Sequence, residues 1–274
     1  MIKIVFNKKI TGYENEIEFC RELNNKKVFS LNPLLREFIF DMFEKVNEND
    51  IIKCSVDKDN KKYDISISIN GIMKYISIKK GIKNSVHVEG VSSFIHFLIE
   101  NKVSRQNIIN YLKYHYADGT TNGTGKERMD VETYKKNHQF EIDEINKAIK
   151  HEDVLIKAIN RFIIKGNISE NEIDALVFGV VNDFIWIKKE DIIRIILSKK
   201  DIQSSAVHFG PLTVQPLNRC LNRNPKYEKA RFCVQIKWYN LSDDILENMN
   251  NNIMLKSGYK DELDSLNIVY ESKI

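Results

Sequence analysis

Apolar and polar residues alternate along residues 63–80, on both sides of Asn70-Gly71. Strict alternation predicts strands with one buried face, and an Asn-Gly pair favours a two-residue hairpin turn with positive φ. Asp64 opens the first predicted strand, and Lys79 closes the second. The even spacing from Ser77 to Lys79 puts these two side chains on one face of the sheet. The pattern therefore predicts a hairpin that presents an acid and a lysine.

Helical and strand patterns follow one another along the rest of the chain. Asn32-Pro33 is a typical helix start, with Asn as the cap and Pro in the first turn. The apolar spacing predicts helices near 33–46, 91–98, 108–116, 130–150, 152–165 and 188–198, and strands at 2–6, 175–181, 184–187 and 231–239. This order of elements predicts an α/β protein.

The composition is that of a globular protein. With 274 residues, 42% hydrophobic content and four prolines, the chain can bury a full core. It contains no run of 18 apolar residues, and residues 1–7 are too short and too soon charged for a signal peptide. We therefore expect no membrane association and a cytoplasmic location. The four cysteines are widely spaced without a CxxC pair, which argues against a zinc site.

The positive charge is unevenly distributed. The formal net charge is only +4, but lysine and arginine outnumber acids in residues 51–83 and again in residues 199–237. Two basic segments suit a protein that binds a polyanion with two parts of its surface. A lysine-rich composition inherited from a biased genome accounts for the same pattern, so charge alone does not decide between the two.

Asp64 and Lys79 are the smallest set of side chains that metal-dependent hydrolysis of a phosphodiester requires. That reaction needs a divalent cation held by oxygen ligands, an aimed water and a positive charge near the reacting phosphate. Ser77 stands where a second carboxylate would precede the lysine by two residues, and Glu89 lies ten positions beyond the lysine. The alternative is a cross-strand ion pair that contributes well under about 1 kcal/mol.

The hairpin with Asp64 on its first strand and Ser77-Ile78-Lys79 at the end of its second resembles the PD-(D/E)XK nuclease superfamily, the core of many type II restriction endonucleases. The resemblance covers about residues 33–100. The sequence departs from the family pattern at Ser77, and no proline precedes Asp64. The resemblance implies a restriction-endonuclease-like mixed central sheet flanked by helices, with a C-terminal elaboration.

The resemblance also implies a site. Asp64 and Glu89 would bind Mg²⁺, Lys79 would serve the attacking water, and Ser77 would support the metal shell. Some members of the superfamily keep a serine in the motif and move the second carboxylate to the following helix, a variant that Glu89 fits. Glu37 matches in position an extra acid that some members add as an outer metal ligand, although a solvated residue on a polar helix face explains it equally.

Two further segments offer candidate DNA-binding residues. Lys126 and Arg128 follow a loop of glycine and threonine residues whose glycine spacing differs from that of a P-loop. Arg219, Arg223 and Lys226 lie in a segment rich in Arg, Asn, Gln and Tyr, the side chains that read base edges or stack on bases. The alternatives are a connector and a surface loop with solvated arginines.

The sequence thus predicts a Mg²⁺-dependent DNA endonuclease of a bacterial restriction or phage-defence system. Double-stranded DNA is the expected partner, and the resemblance implies a homodimer. Residues 1–125 would form the nuclease core and residues 126–274 the elaboration, unless the two form one continuous domain. The alternatives are a non-catalytic DNA-binding protein with a degenerate nuclease site and a subunit of a larger defence complex.

Overall fold

The computed structural model describes residues 11–59, 61–81, 84–125, 127–167, 170–217 and 228–251. The predicted strand at 2–6 and four predicted DNA-binding residues, Lys126, Arg219, Arg223 and Lys226, lie outside these ranges. Across the described ranges, no helix is both long enough and apolar enough to cross a membrane.

Groups of helices and groups of strands follow one another along the chain. The helices are α1 (Gly12–Leu23), α2 (Pro33–Met42), α3 (Val91–Glu100), α4 (Arg105–Tyr116), α5 (Val131–Asn137), α6 (Gln139–Ile149), α7 (Glu152–Ile159), α8 (Lys189–Ser198) and the short α9 (Glu228–Arg231). A 3-10 turn covers Val28–Ser30, and a π turn (Asn160–Ile164) continues α7. The strands are β1 (Lys53–Val56), β2 (Ile65–Ile69), β3 (Ile72–Lys79), β4 (Ser85–Gly90), β5 (Ala175–Val180), β6 (Asp183–Lys188), β7 (His208–Phe209), β8 (Leu212–Pro216) and β9 (Cys233–Trp238). Residues 241–251 are helical.

The main sheet has five strands in the order β1-β2-β3-β5-β6. All its neighbours are antiparallel except β3 and β5, which run parallel, so the sheet is mixed. The predicted hairpin is confirmed: β2 pairs with β3, and the turn has φ of 51° at Asn70 and 81° at Gly71. Two consecutive positive φ angles define the type I′ turn, which matches the twist of the strands it joins.

A second sheet of four antiparallel strands has the order β4-β9-β8-β7. Its first strand comes from the segment directly after the hairpin, and its neighbour β9 comes from near the end of the described chain. The main sheet likewise pairs β3 with β5, about a hundred residues later. Each sheet therefore combines strands from before and after residue 125.

Helices cover both faces of the main sheet. On one face, α1 and α2 bury Phe19 and Phe38 against Phe184 of β6, with ring centroids 5.2 and 5.8 Å apart. The other face buries Leu176 and Ile187 in a larger core that includes α3 to α8 and the second sheet. The prediction of an α/β fold with a mixed central sheet flanked by helices is confirmed.

Substitution of two glycines with positive φ, Gly71 and Gly179, tests how tightly the β5–β6 turn is packed. Gly71 has open space where a side chain would begin, whereas a Cβ on Gly179 (φ 135°) would collide with the carbonyl of Asp183 and lie 2.7 Å from the Cα of Phe184. We expect Gly71→Ala to lower the free energy of unfolding by about 1 kcal/mol through backbone strain. Gly179→Ala should cost at least about 3 kcal/mol because backbone atoms must also move.

Urea unfolding of both variants measures the two losses. The matched substitution at Gly71 isolates the collision from the cost of positive φ. Equal losses in the two variants would contradict the tight β5–β6 turn.

Candidate active site

The carboxylate of Asp64 is the centre of a cluster at the end of the β2–β3 hairpin. Asp64 lies directly before β2, and its backbone N–H donates to the carbonyl of Ile76 on β3. Its Oδ2 accepts hydrogen bonds from the Ser77 hydroxyl at 3.0 Å and from the backbone N–H of Ile78. These bonds cross from one strand to the other, so the hairpin register fixes the orientation of the carboxylate.

Lys79 completes this cluster. Its Nζ lies 3.3 Å from Asp64 Oδ2 and 3.2 Å from the carbonyl oxygen of Ile78. The side chains of Asp64 and Lys79 are each 21% exposed, so solvent reaches the ion pair. The two strands fix the positions of both side chains. The structure therefore brings together three of the predicted residues: Asp64, Ser77 and Lys79.

Helix α1 brings a second acid, Glu16, to the same place. The buried Asn15 next to it donates from Nδ2 to the carbonyl of Gly179 at 3.0 Å, which anchors the start of α1 at the end of β5. Burial and the nearby charge of Asp64 raise the pKa of Glu16 to about 7, and the Lys79 ammonium only partly opposes this rise. Glu16 thus shares an electrostatic environment with both motif residues.

An open cavity of about 480 Å³ lies beside these groups. Its lining includes Glu16 and Asp64 together with Asp57, Lys58 and Lys61. Lys61 is paired with Asp57 at 3.5 Å, whereas Lys58 is exposed and makes no ion pair with any described residue. The cavity therefore joins carboxylates, which bind cations, to lysines, which bind anions.

Lys62 connects the hairpin to the second sheet and to the π turn. Its ammonium donates to the carbonyl of Val86 on β4 at 2.8 Å and to the carbonyl of Phe162 in the π turn. Burial and the nearby charge of Lys79 lower the pKa of Lys62 to about 7, against the opposing effect of Asp64 and Glu89. This side chain therefore lies between Asp64 and the region that holds Glu89.

The structure places Glu89 in a separate polar network rather than against Asp64. Glu89 lies on β4, just before α3, and its side chain is 4% exposed. Its Oε2 accepts from Arg161 Nη2 and from Asn167 Nδ2, both at 2.8 Å. Burial by itself would raise the pKa of Glu89, but the neighbouring His87, Arg161 and Asn167 outweigh it and lower the pKa to about 2. Its charge is therefore neutralised within the fold.

Two other predicted residues also lie away from the cluster. Glu37 is exposed on α2, whose buried residues face the opposite side of the helix. Arg128 is half-buried and donates to the carbonyls of His115 and Tyr114 at the end of α4, a cationic side chain capping a helix C-terminus. Neither position brings the side chain to Asp64.

Neither α1 nor Glu16 was among the elements and residues predicted from the sequence. Thr11 and Glu14 form a capping box, a sequence pattern that marks the start of a helix. The Glu14 N–H donates to Thr11 Oγ1 at 3.1 Å, and the Glu14 carboxylate accepts from the Thr11 N–H. Apolar residues at Phe19 and Leu23 then repeat at helical spacing. These features predict the helix, but its docking beside Asp64 depends on Asn15 and a distant carbonyl.

The donor set at Asp64 and Glu16 fits Mg²⁺. Within the described part of the chain, no three Asp, Glu, His or Cys side chains are grouped to hold a metal ion. Mg²⁺, however, typically takes only one or two carboxylates, keeping waters and substrate phosphates as its other ligands. Burial raises the pKa of Glu16, and the nearby Asp64 carboxylate adds to the rise, an effect that a cation relieves.

Comparisons with known proteins find a similarity of structure and none of sequence. No family model matches the sequence, and no curated protein matches it. Among solved structures, the chain is similar to the restriction endonuclease MspI, crystallised with its cognate DNA, at 13% sequence identity and a TM-score of 0.48. The match covers 82% of this chain and 87% of that chain.

The network around Glu89 predicts a pH-dependent loss of stability. Because the pKa of Glu89 is lower in the folded protein than in the unfolded chain, its charge stabilises the fold above about pH 5. This contribution falls as the pH approaches 2. We expect Glu89→Gln to lower the free energy of unfolding by about 3 kcal/mol at pH 7. The difference from the wild type should shrink toward pH 2.

Urea titrations at several pH values measure this difference, with the exposed Glu37→Gln as the control. The control should change stability by less than about 0.5 kcal/mol. A Glu89→Gln variant as stable as the wild type at pH 7 would contradict a structural ion pair with Arg161.

Proposed function

We propose that this protein is a Mg²⁺-dependent endonuclease that hydrolyses phosphodiester bonds of double-stranded DNA. The observation that carries the proposal is that Asp64 and Glu16 line one open cavity, with the Lys79 ammonium 3.3 Å from the Asp64 carboxylate. A fixed carboxylate, a second acid and an ammonium are the groups that metal-assisted phosphodiester hydrolysis needs.

Asp64 and Glu16 are the residues that would hold the cation. A bound divalent cation lowers the pKa of water and neutralises charge on phosphate oxygens. Asp64 suits this role because its hydrogen bonds to Ser77 and Ile78 converge on Oδ2, so the carboxylate is held in one orientation. Glu16 takes the place that the sequence analysis gave to Glu89 and Glu37.

The remaining cluster residues position the substrate and the carboxylate. The Lys79 ammonium donates hydrogen bonds to a phosphate oxygen or orients the attacking water from its place beside Asp64. Ser77 donates its hydroxyl to Asp64 and so holds the metal-binding carboxylate instead of adding a second one. The exposed Lys58 on the cavity wall adds positive charge for the sugar-phosphate backbone.

The substrate class and the biological setting rest on the resemblance of the hairpin motif to type II restriction endonucleases. Double-stranded DNA and a restriction or phage-defence role follow from that resemblance. A homodimer that cuts both strands belongs to the same proposal, and sedimentation of the purified protein tests it.

A DNA-binding protein without nuclease activity is the rival. The observation that favours it is Ser77, which stands at the position of the second motif acid and is already engaged with Asp64. The rival predicts DNA binding that does not depend on Glu16 or Asp64.

Substitution at Glu16 separates these proposals. In Mg²⁺ with long unmodified double-stranded DNA, the wild type should give discrete fragments. Glu16→Gln should cut at least about 100-fold more slowly because it loses a metal-binding carboxylate. Asp64→Asn and Lys79→Ala should show losses at least as large. Gel analysis of single-turnover reactions measures the rates.

Glu37→Gln is the matched control, since it removes the same charge from an exposed helix position. It should cut like the wild type, and Glu89→Gln should keep its activity once rates are corrected for the folded fraction. Unchanged cutting by Glu16→Gln with loss in Glu89→Gln would return the second metal ligand to Glu89. Salt-sensitive DNA binding without cutting by any form would support the rival, and cutting of RNA alone would change the substrate.

A further inference from the structure

A second cavity, of about 360 Å³, lies beside α7 and the π turn and is lined by three cationic side chains. Lys157, Arg161 and Lys165 follow one another at four-residue intervals along the α7 helix and its π continuation. Four-residue spacing keeps side chains on one side of such a helix. Glu100 is the acid in the lining, and asparagine side chains supply further polar groups.

The two lysines keep their charge available. Among the described residues, neither Lys157 nor Lys165 has an acid within ion-pair distance. Other lysines nearby in the chain are paired, such as Lys189 with Glu172 at 3.1 Å and Lys200 with Glu152 at 2.9 Å. The cavity therefore presents two ammonium groups without neutralising partners.

Arg161 has a different part in the cavity. Its Nη2 donates to Glu89 Oε2 at 2.8 Å and to the hydroxyl of Ser93 at 2.9 Å, and the guanidinium lies 5.4 Å from the ring centroid of Phe97. These contacts hold Arg161 in place on the wall of the cavity, and Glu89 neutralises the charge of its guanidinium. Binding of an anion thus falls to Lys157 and Lys165.

The cavity is joined to the candidate active site through one side chain. Lys62 lies two residues before Asp64, and its ammonium donates to the carbonyl of Phe162 in the π turn. The Lys62 stem also packs against Gly166, where a Cβ would lie 3.5 Å from the Cβ of Lys62. The segment that carries Lys165 therefore adjoins the strand end that carries Asp64.

We infer that the Lys157–Lys165 cavity binds a backbone phosphate of the nucleic acid substrate, next to the phosphate that is cleaved. The inference rests on the proposed nuclease function and extends it by a specific contact. Ammonium and amide donors suit phosphate oxygens and carry no base information. The contact should therefore position the substrate independently of its sequence.

The test is the double variant Lys157→Ala/Lys165→Ala, compared with the wild type on a fluorescein-labelled duplex with Ca²⁺ in place of Mg²⁺. Fluorescence anisotropy at several salt concentrations gives the affinity and its salt dependence. We expect binding about tenfold weaker near 0.1 M salt, and a slope of log K against log salt that is smaller in magnitude by about 1 to 2. The loss should be similar on duplexes of unrelated sequence.

Lys147→Ala/Lys150→Ala is the matched control. It removes the same charge from α6 and the residue that ends it, where Lys147 pairs with Glu144 at 2.6 Å and Lys150 lies 4.0 Å from Asp201. The control should keep the affinity and the slope of the wild type. Equal losses of affinity in both double variants would show that the effect comes from the net charge of the protein, and this result would overturn the inference.

The outcomes also separate this inference from the proposed function. A wild type that binds and cuts DNA, with a Lys157→Ala/Lys165→Ala variant that binds equally well, overturns the inference and leaves the proposed function standing. A wild type that neither binds nor cuts nucleic acid overturns the proposed function and the inference with it. Thermal unfolding followed by circular dichroism checks that each variant is folded.

Discussion

The pairing register of β2 and β3 determines which side chains meet at Asp64. With Ile65 opposite Ile76, the Ser77 hydroxyl and the Ile78 N–H both reach the Asp64 carboxylate. Side chains alternate between the faces of a strand, so a slip of one residue would move Ser77 and Lys79 to the opposite face. The type I′ turn at Asn70-Gly71 and the buried isoleucines on the α1 side prevent such a slip. The candidate site therefore depends on a local turn and on one face of a hydrophobic core.

The same core brings the second acid to the site. Helix α1 packs on the face of the sheet that buries Ile76 and Ile78, and its start is held by the Asn15 hydrogen bond to Gly179. Gly179 lies one residue before the end of β5, where a Cβ would collide with backbone atoms at the start of β6. Glu16, one residue beyond Asn15, consequently lines the same cavity as Asp64. The second acid of the proposed site therefore comes from outside the hairpin.

Sequence patterns predicted the local part of this arrangement well. Alternation and the Asn-Gly pair are sufficient to locate the hairpin, and the spacing within it places Asp64, Ser77 and Lys79 together. Glu16 was not predicted because the docking of α1 depends on a contact between residues 164 positions apart. Glu89 was predicted at the site because it follows the hairpin closely in sequence. The pairing of β4 with β9 instead places it in the second sheet, where Arg161 neutralises its charge. No local pattern indicates that pairing.

The two acids near the hairpin differ in a way that their surroundings explain. Both Glu16 and Glu89 are partly shielded from water, which raises the pKa of any carboxyl group. His87, Arg161 and Asn167 outweigh this effect at Glu89, so its pKa falls to about 2. At Glu16 the nearby charge of Asp64 adds to the effect of burial, and its pKa rises to about 7. An acid that is already compensated inside the fold contributes to stability and has little to gain from a cation. An acid near another carboxylate beside an open cavity gains more from a cation, and for this reason we propose Glu16 as the partner of Asp64.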